Sequence, residues 1–235
     1  MEDIIKNCIH KALSKADTNV FDELDKEFIS FWDKPCTSML ELKKRTTKEK
    51  GTLFEVFCKL YLQQKGYTVW MLSECPEDIL EMLGMTSHDV GIDLIARIDQ
   101  KDKTGKFLQT LWFPVQCKYR VPHKDLAGRM SHKLSWKEVS TFLSLCTRTG
   151  PILSGKIRGW AKHIIMTNCS NVSWKGRKSQ KDWTIAKSSF SKPNKIFWIN
   201  WINKKTVATP SITSCQPSTA EIINLREKWL SSLCK

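Results

Sequence analysis

No Cys-x-x-Cys pair occurs in the 235 residues, although nine cysteines do, at positions 8, 36, 58, 75, 117, 146, 169, 215 and 234. Their scatter and odd number fit neither a disulfide framework nor a metal cluster. The five histidines (10, 88, 123, 132 and 163) do not stand at zinc-ligand spacing from them, so no structural zinc is expected. Reduced thiols and an intracellular, cytoplasmic setting are expected, or a nuclear one in a eukaryotic cell. No uninterrupted apolar run approaches the roughly 18 residues that span a bilayer, so no membrane partner is expected. No internal repeat and no clear interdomain linker is visible. Acidic residues are scarce, 24 Asp and Glu against 38 Lys and Arg, which leaves a net charge of +14. The shortage is one-sided. Residues 1–100 carry 13 basic against 18 acidic side chains, a net −5, and residues 101–235 carry 25 against 6, a net +19. A basic half of that size favours a polyanionic partner such as nucleic acid.

What is present reads as an ordinary folded chain, 41% hydrophobic and 26% charged, long enough for one substantial core. Ile4, Ile5, Cys8, Ile9 and Leu13, then Phe21, Leu24, Phe28 and Phe31, recur at helical spacing, and a turn is expected at Lys34-Pro35. A stronger helix is expected over 47–65, capped by Thr46 or Thr47, its wide apolar face built from Leu53, Phe54, Phe57, Leu60 and Tyr61, with Gly66 as its stop. Short strands are expected at 67–72 and at 161–167, and another at 195–201. Asp89–Ile98 and Phe107–Tyr119 read as a β-hairpin with a polar turn. The acidic segment 74–81 carries no clear period. Ser135 is placed to cap a helix bearing Val139, Phe142, Leu143 and Cys146, and 170–194 reads as an exposed loop. Ser218 and Glu221 form a capping box ahead of a terminal helix. The expected organisation is a helical extension over 1–45, a core over 46–205 and a helical tail over 206–235. The order helix, strand, hairpin, helix, strand predicts an α/β fold with a mixed sheet flanked by helices.

The hairpin concentrates polar groups where apolar ones are expected. Asp93 begins one strand, and Gln116 and Lys118 end its partner, so pairing brings them together between Ile92, Leu94 and Val115. Residues i and i+2 of a strand share a face, which groups Gln116 with Lys118 and sends Cys117 toward the core. Phosphodiester hydrolysis needs a hard cation on oxygen ligands and a positive charge beside the reacting phosphate. Asp93 and the Gln116 amide oxygen can serve the first need, and the compact ammonium of Lys118 the second. Phosphate contacts are expected from the basic loop carrying Arg120, Lys124, Arg129 and Lys133. They are also expected from Lys175, Arg177, Lys178 and Lys181, where Trp174 and Trp183 bracket the cluster and could stack on bases or anchor a loop.

Asp93…Gln116-Cys117-Lys118 resembles the D…(E/Q)-x-K signature of the PD-(D/E)xK nuclease superfamily. With Lys50-Gly-Thr-Leu-Phe-Glu55 and His88-Asp-Val-Gly-Ile-Asp93, it is similar to the Mrr-like restriction endonuclease branch, over roughly residues 47–170 and weakly to about 200. The resemblance implies a restriction-endonuclease-like sheet of four to five strands, Mg²⁺ as cofactor with Mn²⁺ as a substitute, and DNA as substrate. It implies that Asp93, the Gln116 side-chain oxygen and the Cys117 carbonyl are metal ligands and that Lys118 is the catalytic lysine. Glu55 would bind metal through water or orient the substrate, unless it merely pairs with Lys59 one turn on. Gln116 replaces the commoner Glu, which removes a negative charge and lowers the expected metal affinity. A helicase or further domains, and a homodimer for paired cuts, are the partners this family suggests. Two alternatives stay open: a binding-only module of a helicase or restriction assembly, and a nuclease acting on branched DNA or RNA.

Overall fold

The structure, a computed structural model, describes residues 2–14, 22–24, 26–27, 37–88, 91–124, 127–153, 155–173 and 182–186. All belong to one compact unit, Met1–Ile199. The expected strand at 195–201, the tail helix and Trp174, Lys175, Arg177, Lys178 and Lys181 lie outside the described residues.

Helix α1 (Glu2–Ser14) buries Ile5, Cys8, Ile9 and Ala12, the stripe that helical spacing requires, and lies against the next helix. That helix, α2 (Met39–Gln64), starts eight residues before the expected cap at Thr46 or Thr47. Ser38 sits in extended backbone and its hydroxyl accepts from the Glu41 N–H at 3.1 Å, while Thr37 donates to the Glu41 carboxylate. A real cap therefore sets the start, ahead of Met39 and Leu40, which are exposed and carry no buried helical stripe. Gly66, at φ 91°, ends α2 as expected: its N–H reaches the Gln63 carbonyl and the Tyr67 N–H reaches that of Leu62.

Five strands form one mixed sheet in the order β1 (Thr68–Met71), β2 (Leu94–Lys101), β3 (Phe107–Lys118), β9 (His163–Thr167) and β11 (Asp182–Ile185). β1–β2 and β2–β3 pair antiparallel; β3–β9 and β9–β11 pair parallel. The hairpin register Leu94↔Val115 through Gln100↔Gln109 realises the expected pairing, with β2 starting at Leu94 rather than 89. The acidic segment folds as a 3-10 turn (Leu72–Glu74) and the short helix α3 (Glu77–Met82). The basic loop carries two-residue strands β4 (His123–Lys124) and β5 (Met130–Ser131), and Ile152–Leu153 pairs with Lys156–Ile157 as β7 and β8.

The stretch expected as a loop at 170–194 contributes β10 (Asn171–Ser173), which pairs with β6 (Lys133–Ser135), and β11 at the sheet edge. Four residues among lysines and serines carry too little periodicity to announce β11. Its parallel partner β9, and the 2.9 Å contact of His163 Nδ1 with Asp182 Oδ1, hold it in place.

Helices cover both faces. On one, α2 lays Phe54 on Tyr119 and Cys58 on Cys117. On the other, α4 (Trp136–Cys146) packs Val139, Phe142, Leu143 and Cys146 with Ile95, Trp112, Ile165 and Trp160. Ser135 and Glu138 form the capping box that starts α4.

Candidate active site

Period 2 along β3 sends Phe113, Val115 and Cys117 toward α2 and Trp112 and Gln116 toward the layer under α4. Beyond the last rung, where α2 draws away from the sheet end, a cavity of about 480 Å³ opens. Thr47, Lys50, Gly51 and Glu55 of α2 form one wall; Asp93, Cys117, Lys118, Tyr119, Arg120 and Val121 form the other. Glu55, Asp93 and Lys118 therefore converge on one space from three elements.

The Asp93 carboxylate is fixed by its partner strand: Oδ2 accepts the Cys117 N–H at 2.6 Å, and its own N–H donates to the Val115 carbonyl. Burial pushes the Asp93 carboxyl above the usual range, against the pull of that N–H and of Lys118. Glu55 is raised to about 7, first by burial and then by the Asp93 charge, with Lys118 opposing. The alternative partner proposed for Glu55 is engaged elsewhere, because Lys59 Nζ sits 2.5 Å from Glu74 Oε2. Two carboxyls that resist ionisation around one lysine make a site that gains from an added cation.

Gln116 is placed differently from its neighbours. It is 2% exposed and is not among the residues lining the cavity. Its Nε2 donates to the Gly91 carbonyl at 3.0 Å, which sets the amide orientation, and its Oε1 is buried with no hydrogen-bond partner. Gly91 itself is required here: its φ is 114°, and a Cβ would stand 3.4 Å from the Phe142 backbone. The Gly-Ile-Asp run thus passes tightly under α4 into Asp93. The Cys117 thiol is held well above its ordinary range by burial beside Cys58, so it stays neutral. The donors that line the cavity and could hold a metal are then all oxygens, the Asp93 and Glu55 carboxylates and the Cys117 carbonyl, and the orphaned Gln116 Oε1 lies buried outside that lining. That set suits a hard divalent cation. Among the described residues, no group of three or more His, Cys, Asp or Glu side chains placed to hold a metal occurs, in this cavity or elsewhere.

A second ring of polar residues steadies the end of β3, and sequence reasoning missed it. The Thr167 hydroxyl donates to the Lys118 carbonyl at 2.6 Å. Asn168, fully buried, accepts the Arg120 N–H and donates to the Arg120 carbonyl, both at 2.8 Å, so its amide replaces a missing strand. His132 Nε2 lies 3.1 Å from that carbonyl oxygen. A Thr-Asn pair closing an apolar strand was the available signal. Arg120, expected on phosphate, lines the cavity but its Nε donates to Glu138 Oε1 at 2.7 Å. Lys124, Arg129 and Lys133 are exposed and do not line the cavity, and Trp183, on β11, is 38% exposed.

A family model described as restriction endonuclease matches residues 59–195, more than half of the chain. The chain belongs to the restriction endonuclease family. The matched region holds Asp93, Gln116, Cys117 and Lys118, and begins four residues after Glu55. The family implies a nuclease, a hydrolase acting on DNA. Among solved structures, the chain is similar to the MspJI restriction endonuclease in complex with a 27-mer oligonucleotide, at 17% identity and a TM-score of 0.37. The likeness covers 72% of this chain and 34% of that one, so the chain spans about a third of its neighbour's length. No curated protein matches it. Among the described residues no helix is long and apolar enough to cross a membrane.

Proposed function

We propose that the chain is a metal-dependent endodeoxyribonuclease of the Mrr-like type, with Mg²⁺ as its cofactor and Mn²⁺ as a substitute. The convergence of Glu55, Asp93 and Lys118 on one cavity, in a chain of this family, carries the proposal. Asp93, Glu55 and the Cys117 carbonyl would hold the cation from the cavity lining, and Gln116 Oε1, buried outside it, would reach the ion only after its side chain turns into the cavity. When bound, such an ion neutralises charge on the scissile phosphate and acidifies a water.

The chain's own residues do the rest. Asp93 is aimed by the Cys117 N–H, so the carboxylate is preset rather than gathered by the ligand. Lys118, its carbonyl tied to Thr167, extends an ammonium toward the attacking water and the phosphate oxygens, where negative charge grows as the P–O bond breaks. Glu55, as its carboxylate, orients the water or the ion from the helix side. Exposed Lys124, Arg129 and Lys133, with Lys175, Arg177, Lys178 and Lys181 of the undescribed segment, would neutralise flanking phosphates, and Trp174 would stack on an unpaired base. The core over 46–205 is the nuclease unit in this reading, and 1–45 and 206–235 are accessory.

Supercoiled plasmid incubated with Mg²⁺ or Mn²⁺ tests the proposal. Wild type cuts it, and Asp93→Ala and Lys118→Ala each lower the rate about a hundredfold or more. Nicking that survives both substitutions, or DNA binding without any nicking by wild type, overturns it. Linear product would call for two sites and hence a second copy of the chain; nicked product fits a single site to which a helicase could deliver DNA.

A further inference from the structure

Gly51 stands in the middle of the 26-residue helix α2, where glycine is a poorer helix former than alanine. The protein itself makes no use of it. Its backbone is ordinary helix, and a Cβ built there meets nothing within 4 Å. Gly91 and Gly150 are different cases, since a Cβ at either would press on backbone at 3.4 and 3.1 Å. Gly51 faces the cavity that holds Glu55, Asp93 and Lys118, so the space it leaves open is active-site space. It lies one helical turn before Glu55, about 6 Å along the axis at roughly 1.5 Å per residue. That is between one and two nucleotide steps of about 3.4 Å each. Beside it Lys50, only 8% exposed, lines the same wall, an uncommon placement for lysine. Thr47, one further turn back, continues the same helix face into the cavity.

We propose that this face of α2 is the seat of the DNA backbone, with the strand lying directly on the helix at Gly51 and Lys50 taking a phosphate next to the scissile one. Glycine allows the sugar-phosphate chain to approach the helix backbone, as it does wherever a ligand must come close to main chain. Contacts to the sugar-phosphate chain fix the register of the substrate and carry no sequence information themselves. The inference rests on the nuclease reading above and adds where the substrate runs.

The test measures affinity for a labelled random-sequence DNA duplex in a Lys118→Ala background, which keeps the substrate intact. Gly51→Ala is expected to weaken binding about tenfold, and Gly51→Leu more, while both melt at or above the parent temperature because the helix gains a better former. Lys50→Gln is expected to reduce the slope of log affinity against log salt by about 0.9, one phosphate contact. In the otherwise wild-type protein, the Mn²⁺-induced rise in melting temperature is unchanged by Gly51→Leu, which keeps the metal site apart from the substrate seat. Undiminished affinity of Gly51→Leu with an unchanged salt slope in Lys50→Gln, while wild type cuts plasmid, overturns the inference alone. A wild type that neither binds nor cuts DNA overturns the nuclease reading, and the seat with it.

Discussion

At the scale of the residue, the two carboxyls of the cavity are held in a state that water would not choose. Glu55 is raised from 4.5 to about 7, mainly by burial and secondly by Asp93. A carboxyl whose folded value is raised stabilises the fold in its protonated form, and that contribution is lost as pH climbs from the unfolded value through the folded one. For Glu55 the window is pH 4.5 to about 7. In the presence of chelator, Glu55→Gln should flatten the fall in melting temperature across that window and raise the melting temperature at pH 8. Thermal unfolding over a pH series reads it; a wild type and variant that run parallel would contradict the burial argument. Gln116 has a local cause as well. Its Nε2 donates to the Gly91 carbonyl, a contact that a carboxylate at the same place would turn into oxygen facing oxygen. An amide there limits the negative charge around the site while still offering one oxygen.

At the scale of the element, the N-terminus of α4 is fastened to the end of β3 through one side chain. Glu138 accepts from the Ser135 N–H and hydroxyl at 2.9 Å and from Arg120 Nε at 2.7 Å, two residues beyond Lys118. Burial opposes its ionisation most strongly, but the hydrogen bonds from Ser135 and Arg120 together outweigh it and the carboxyl sits below the ordinary range. The depressed value means the stabilisation is present above the unfolded pKa near 4.5 and disappears as pH falls through the folded one. Glu138→Gln should therefore cost about 1–2 kcal/mol near pH 7, a loss of a few degrees in melting temperature, and almost nothing in strong acid. Denaturant midpoints at the two pH values check it.

These elements differ in how visible they are in the chain. The hairpin and α2 were legible because alternation and a wide apolar face are long signals, and Asp93, Gln116 and Lys118 followed from the pairing. The Ser38 start of α2, β11 and the Thr167–Asn168 brace were not. Each is decided by one cap, one edge pairing or one buried amide, and none of these leaves a period. The set-back position of Gln116 was also hidden, since period 2 grouped it with Lys118 and could not tell where α4 covers the sheet and where it stops.

At the scale of the whole molecule, β3 is, among the described residues, the one strand shared by two kinds of pairing. Phe107–Val115 pairs with β2, its neighbour across a short turn, whereas Val115–Lys118 pairs with Ile164–Thr167 from a segment about 50 residues later. Contacts between distant parts of a chain form late in folding, because loop closure must precede them. The hairpin is expected early, with Asp93 and Cys117 already joined, and the brace behind Lys118 only after β9 docks. Ile164→Val should then destabilise by about 1 kcal/mol, with the loss appearing in the unfolding rate while the refolding rate stays near wild type. A refolding rate slowed in proportion would put β9 in the nucleus instead. On that order the parallel rung at Lys118 would also act as a timing device: a growing or half-folded chain would hold every motif residue up to Lys118 before it holds a braced lysine, and the completed candidate site would arrive with β9 rather than with the motif.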